Sequence, residues 1–320
     1  MPLVPSTYSP PFLFKNGHFS TVYAGVLRKV DGVQQERERI ELEDGEFLDV
    51  DWSYANTETR KVALIIHGLE GNAQRAYVTG SAKILNADGF DACALNLRSC
   101  SGESNRLYRS YHSGVTDDVD AVLNHILSTK NYSEIYLNGF SLGGNLILKY
   151  LGERSAIAPE VKAAVAISTP CDLYSSLQQL LQFKNAAYSS RFKKHLKDKL
   201  KEKQELFPEA ISNSEIKAIK TLRDFDEIHT SKANGFKDAL DYYQKCSSLQ
   251  FLPNIKTPTL IVNALNDSFL GESCYPVTIS QNNPNLYLEM PKFGGHVGFY
   301  GPNNVTYTEK RTLNFMKEVL

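Results

Sequence analysis

A chain of 320 residues with 42% hydrophobic side chains is long enough to bury one large α/β core or two modest ones. Its 35 basic and 36 acidic side chains give a formal net charge of -1, which excludes a global field aimed at nucleic acid or an anionic membrane, so any partner must be read locally. The five cysteines (Cys93, Cys100, Cys171, Cys246, Cys274) are odd in number and lack C-x-x-C spacing, which argues against a disulfide framework or zinc site and for a reducing compartment.

In chain order, MPLVPSTYSPPFLFKNG lacks the basic and apolar regions of a secretory signal, and no later stretch approaches the roughly 20 apolar residues of a membrane span. The expected location is the cytoplasm, without integral membrane association. ERIELEDGEFLDVDWSY alternates on both sides of Asp44-Gly45 and predicts a β-hairpin at the antiparallel edge of a sheet. Near-continuous apolar runs then predict buried parallel strands: VALIIHG (62–68), FDACALNL (90–97), EIYLNGF (134–140), VKAAVAIS (161–168) and PTLIVNAL (258–265). Helical patterns fill the gaps at 74–87, at 115–127 and directly after Ser141. The segment 171–247 shows no strand pattern and predicts a helical insertion. LYLEM (286–290) is a further strand, and a helix over 306–319 closes the chain.

Ser141 lies in Gly139-Phe-Ser-Leu-Gly143, between an apolar strand and an apolar helix. The pentapeptide alone arises by chance in about one in ten chains of this length, but the strand-turn-helix context is what a nucleophile elbow demands. A serine hydroxyl needs a histidine base and an orienting acid, which on this architecture follow in the order Ser, acid, His. Of the histidines after Ser141, His296 stands in the glycine-flanked loop KFGGHVGF past the last strand, while His195 and His229 are expected at the surface. Two aspartates follow strand ends. Asp267, beside the loop carrying His296, is the stronger candidate; Asp172, at the entrance of the insertion, reads as a helix cap. Oxyanion donors are expected from the backbone N–H groups of Leu142 and of Leu69 in HGLEG (67–71). A metal role for His67 lacks a second ligand at suitable spacing, and no metal site is expected.

With those residues placed, the chain resembles the α/β-hydrolase superfamily and, within it, the YheT-like (AB hydrolase 4) family. The resemblance rests on PPFLFKNGHFSTV (10–22), IELEDGEFLDVDW (40–52), HGLEGN (67–72), NLRSCSGESNRLYRSYHSG (96–114), GFSLGGN (139–145), NALND (263–267) and GGHVGF (294–299). It implies an α/β-hydrolase fold: a mostly parallel central sheet with an N-terminal antiparallel hairpin, helices on both faces and a helical cap insertion. The implied organisation is core at 1–170, cap at 171–247 and core again at 248–320. The family's nucleophile, acid and base fall on Ser141, Asp267 and His296, its chemistry is carboxylic ester cleavage, in some members acyl transfer, and no cofactor is implied. Two positions depart from the pattern: Ser99 where a glycine is expected, and Asn266 where relatives often carry a second aspartate.

The expected function is therefore a serine esterase acting on a small-molecule ester of short to medium chain or of lipid-like form. A thioesterase or alcohol acyltransferase would use the same triad, and a non-catalytic binding protein is the alternative from another class. Arg98, Arg106 and Arg109 could hold a phosphate, but a polar loop of this kind more commonly satisfies its own backbone. Phe192, Leu196 and Leu200 repeat every four residues among lysines, which predicts a stripe packed on the core with solvated lysines, and leaves peripheral lipid contact as a second reading. Leu177, Leu180, Leu181, Phe183 and Tyr188 are candidates either to roof an acyl pocket or to form the cap's own core.

Overall fold

Nine strands form one sheet in the computed structural model, which describes residues 3–319. They are β1 (Leu3–Val4), β2 (Glu36–Glu41), β3 (Phe47–Ser53), β4 (Lys61–Ile66), β5 (Asp91–Asn96), β6 (Glu134–Phe140), β7 (Val161–Ile167), β8 (Thr259–Val262) and β9 (Leu286–Glu289). The order across the sheet is β1-β9-β8-β7-β6-β4-β5-β3-β2. Strand β3 pairs antiparallel with β2 and β5, and the remaining pairs are parallel. The β2–β3 turn falls at Asp44-Gly45, where Gly45 takes φ 81° and Leu42 N–H reaches Glu46 O at 2.8 Å. The short edge strand β1, which pairs with β9, has too few residues to leave a periodic signal.

The helices are α1 (Gly17–Val22), α2 (Ala76–Ala87), α3 (Thr116–Thr129), α4 (Leu142–Glu153), α5 (Leu173–Leu180), α6 (Ala186–Leu206), α7 (Asn213–Ala218), α8 (Leu222–Phe225), α9 (Ser231–Ala233), α10 (Ala239–Cys246), α11 (Val277–Asn282) and α12 (Tyr307–Glu318). Thr306 and Glu309 form a reciprocal capping box that starts α12. Helices α5 to α10 all lie between β7 and β8, so the chain leaves the sheet after β7 and returns to it at β8. No helix among the described residues is long and apolar enough to cross a membrane.

The apolar runs of the central strands are explained by burial on both faces. Along β4, Val62, Leu64 and Ile66 enter one core cluster with α3 and α4, while Ala63 and Ile65 enter the other with α2 and α12. Truncating Leu64, Ile65 or Ile66, each fully buried, to alanine costs about 2–5 kcal/mol. The five cysteines are free and buried. Strands β4, β6, β7 and β8 run in parallel register, with Ile66 beside Gly139, Phe140 beside Ile167, and Ile167 beside Val262. Their carboxyl ends therefore share one rim, which is where loops gather side chains for chemistry.

Candidate active site

Ser141 is the single residue between β6 and α4, held at φ 52° and ψ -117°. A non-glycine residue in this region stores about 1–3 kcal/mol of strain, which the surrounding contacts must offset. Ser141 N–H donates to Ile167 O at 2.8 Å, fixing the turn to β7. The flanking glycines are required by close approach. A Cβ on Gly139 would lie 2.5 Å from Gly143 O, and one on Gly143 would lie 2.3 Å from Ile66 O, both backbone atoms that cannot step aside.

The structure brings the expected serine, histidine and aspartate together. His296 Nε2 is 2.9 Å from Ser141 Oγ, and Nδ1 is 2.8 Å from Asp267 Oδ2. With the carboxylate accepting at Nδ1, that nitrogen carries the ring proton, and Nε2 is free to accept from the serine hydroxyl. Asp267 Oδ1 also accepts from Phe269 N–H at 2.9 Å, and the ring of Phe269 sits 4.4 Å from the imidazole centroid. Asp172, the competing aspartate, caps α5 by accepting from Ser175 N–H at 3.0 Å.

Three side chains hold the histidine loop. Thr21 Oγ1 accepts from His296 N–H at 2.8 Å, Ser168 Oγ from Val297 N–H at 2.9 Å, and Asn266 Oδ1 from Gly295 N–H at 2.9 Å. The sequence does not single out Thr21 or Ser168, because each is an ordinary hydroxyl residue whose partner lies more than a hundred positions away.

Across from Ser141 runs the loop His67–Gly71. A Cβ on Gly68 would stand 3.0 Å from Ser141 Cβ, so glycine permits the contact between loop and elbow. His67 is fully buried, with Nδ1 2.8 Å from Gly68 O and Nε2 accepting from Leu97 N–H at 3.1 Å. Both ring nitrogens are thus engaged, and burial pushes its pKa down to about 3, keeping it neutral. Gly68 O also accepts from Gly71 N–H at 2.9 Å. Because a trans peptide sets N–H opposite C=O, Leu69 N–H points the other way, away from His67. Among the described residues it has no protein acceptor. Leu142 opens α4, where first-turn N–H groups lack intrahelical partners. Both leucines line the cavity that holds Ser141 and His296.

That cavity, of about 490 Å³, lies between the sheet's rim and the helices of the insertion. Leu177, Leu180 and Tyr188 line it, as do Phe192, Leu196 and Leu200 of α6. Leu181 and Phe183 do not: they are 39% and 96% exposed. Leu177 also packs with Leu222, Tyr242 and Tyr243, so roofing the cavity and building the insertion's core are one role for this residue.

Two histidines and two lysines correct the sequence expectations. His229 is buried, not at the surface, because the π-helical turn Asp226–Thr230 turns it inward to Tyr108 Oη at 3.1 Å and Ser110 Oγ at 3.3 Å. His195 is partly buried and lines the cavity. Lys199 and Lys203 are not free on a solvated face: the half-buried Lys199 Nζ is 3.1 Å from Glu70 Oε1, and the buried Lys203 donates to the carbonyls of Asn105 and Leu107. Two of the three loop arginines are occupied by carboxylates, Arg98 by Asp118 at 2.7 Å and Arg106 by Glu41 at 2.9 Å, while Arg109 comes no nearer than 3.9 Å to Asp44. Ser99 holds φ 60°, the conformation that the glycine expected there adopts without strain.

A mostly parallel sheet with an antiparallel hairpin, a strained strand-to-helix elbow at its carboxyl rim and helices inserted above it define the chain as an α/β hydrolase. The alpha/beta hydrolase fold family model matches residues 62–301. A putative esterase YheT from Escherichia coli K12 is 31% identical over 292 residues, spanning 90% of this chain and 85% of that protein. The Mus musculus phospholipase ABHD3 is 26% identical over 330 residues, covering 100% of this chain and 80% of its own. Among solved structures, the Pyrococcus furiosus esterase Pf2001 superposes with a TM-score of 0.60 at 16% identity, covering 91% of this chain and 96% of that one, a likeness of fold. The protein belongs to the α/β-hydrolase superfamily, in its YheT-like family.

Proposed function

We propose that the protein hydrolyses carboxylic esters through Ser141, His296 and Asp267. The observation that carries this reading is the unbroken line from Asp267 through His296 to Ser141, at 2.8 and 2.9 Å, on the wall of an apolar cavity. Ser141 Oγ attacks the ester carbonyl as His296 Nε2 takes its proton, and the tetrahedral oxyanion is held by the N–H groups of Leu142 and Leu69. His296 then protonates the departing alcohol. Water, deprotonated by the same imidazole, releases the acid and restores Ser141. Asp267 fixes the imidazole tautomer and stabilises its charged form.

The apolar wall of Leu177, Leu180, Phe192 and Leu196 favours an aliphatic acyl group over a polar one. The relatives named as phospholipase and as the Saccharomyces cerevisiae monoacylglycerol lipase make glycerol-based esters the first compounds to assay. A fluorophosphonate probe should label the wild type and leave Ser141→Ala unlabelled with its fold intact, and p-nitrophenyl esters of graded chain length should be cleaved by the wild type only. Labelling that survives in Ser141→Ala, or no ester turnover at any chain length, would overturn the assignment.

A further inference from the structure

The large apolar side chains left at the surface are concentrated on one face. Phe12, Leu13, Phe19, Val22, Val26 and Leu27 all belong to the segment that contains α1, and Phe12 and Leu13 are 83% and 63% exposed. Phe183, in the turn between α5 and α6, is 96% exposed. Leu265, at the end of the loop after β8, is 57% exposed. Three contacts bind these segments into a single surface. Asn266 Nδ2 donates to Lys15 O at 3.0 Å, Asn185 Nδ2 donates to Ser268 O at 2.7 Å, and Tyr188 Oη meets His18 Nδ1 at 3.3 Å.

This face carries the cavity's mouth. Val22, Val26 and Arg191 are at once exposed and on the cavity wall, which only residues at an opening can be. Its charge is one-sided. Acidic side chains make up one residue in nine of the chain, yet residues 1–30 and 173–197 contain none. The same segments supply the exposed cations Lys15, Lys184 and Arg191 around the apolar patch.

We propose that the face formed by residues 12–27 and 181–191 docks on an anionic lipid surface, with Phe12, Leu13 and Phe183 entering the acyl boundary and Lys15, Lys184 and Arg191 meeting headgroup phosphates. Exposed apolar anchors and cations on segments that carry no carboxylate are what an anionic interface selects. A second copy of the chain suits the face poorly, because a two-fold contact sets these cations against themselves and offers them no carboxylate. Docking would hold the cavity's mouth against the lipid phase, so that an ester could pass into it without crossing water. The proposal relies on the ester-hydrolase reading only for what happens to that lipid.

Cosedimentation of the full chain with phosphatidylcholine vesicles, with and without phosphatidylglycerol, tests it. The wild type and Ser141→Ala should both partition onto the anionic vesicles, more strongly at low salt. Phe12→Ser/Phe183→Ser should lower the partition coefficient by at least about tenfold. Lys15→Glu/Lys184→Glu should remove the preference for phosphatidylglycerol. Both double variants should cleave a short water-soluble p-nitrophenyl ester at the wild-type rate. Wild-type protein that stays in solution, or a Phe12→Ser/Phe183→Ser variant that binds as well as the wild type, would overturn the proposal. So would a wild-type dimer, seen by light scattering, that these substitutions dissociate while no form binds vesicles. Vesicle binding by Ser141→Ala and wild type alike, without ester turnover by either, would support the docking face while removing the hydrolase reading.

Discussion

Asn266 clasps Gly295: its Oδ1 accepts from the Gly295 N–H at 2.9 Å, one residue before His296, while its Nδ2 donates to Lys15 O at 3.0 Å. One amide thus joins the loop of the acid, the loop of the base and the N-terminal segment. An aspartate in its place keeps the acceptor and loses the donor. Asn266→Asp should retain kcat within a few-fold and lose about 1 kcal/mol of stability in thermal melts. Asn266→Ala forfeits both bonds and should lower kcat by on the order of tenfold with KM little changed, since misplacing the imidazole affects the chemical step. Equal kcat in both variants would remove the positioning role.

Buried histidines make the fold sensitive to acid. Burial lowers the pKa of His67 to about 3 and of His229 to about 4, below the ordinary value near 6.5. A depressed folded-state pKa means that protonation favours the unfolded chain. The stability is therefore complete above about pH 6.5 and is lost as pH falls from there toward the folded-state values. At pH 5 each histidine contributes a loss of about 2 kcal/mol. Urea midpoints measured from pH 7.5 to 5 should fall accordingly, and His229→Gln should show a visibly smaller fall. A variant whose midpoint falls as steeply as the wild type's would show that His229 is not held neutral.

Two glycines should respond oppositely to alanine. At Gly143 the added methyl meets Ile66 O at 2.3 Å and His67 O at 2.6 Å, so the elbow and the His67–Gly71 loop must separate. Gly143→Ala should destabilise by several kcal/mol and abolish probe labelling. At Gly25, within a π-helical turn, nothing lies within 4 Å of the added atom and φ is not positive. Gly25→Ala should be neutral or raise stability by up to about 1 kcal/mol through the unfolded chain's lost freedom. Melting curves of the two variants decide this directly.

How much was legible in the sequence follows from the range of the interactions involved. Strands β4 to β9 and the elbow were readable because two-sided burial writes itself as local apolar runs, and because Gly139, Ser141 and Gly143 sit within five residues. Asp267 and His296 could be ranked by their place after late strands. The supports given by Thr21 and Ser168 could not, since each acts over more than 100 positions through a hydroxyl with no distinctive neighbours. His229 was misplaced for a related reason. The residues around it read as polar helix, and only a π-helical turn at 226–230 rotates it inward. In α6 the apolar stripe does turn inward, but onto the cavity and the insertion's own clusters and not onto the sheet's core, and the surroundings of Lys199 and Lys203 depend on Glu70 and on two carbonyls of a distant loop.

Leu196 offers the sharpest reading of acyl length. It lies on α6, is partly buried, packs against the clusters built around Leu177 and Leu200, and turns its remaining surface to the cavity. A tryptophan there can extend into the void, so the substitution should reduce the cavity more than it strains the fold. Leu196→Trp should leave kcat/KM for an acetyl ester near the wild-type value and lower it at least tenfold for the longest chains the wild type accepts, since each excluded methylene is worth about 1–3 kcal/mol. Leu240→Trp, on α10 at a position 48% exposed and away from the cavity, should leave the profile unchanged. A p-nitrophenyl ester series measured on both variants separates the outcomes. If Leu196→Trp leaves the long-chain rates intact, the acyl group lies elsewhere, and Leu173 with Leu177 on α5 becomes the wall to alter next.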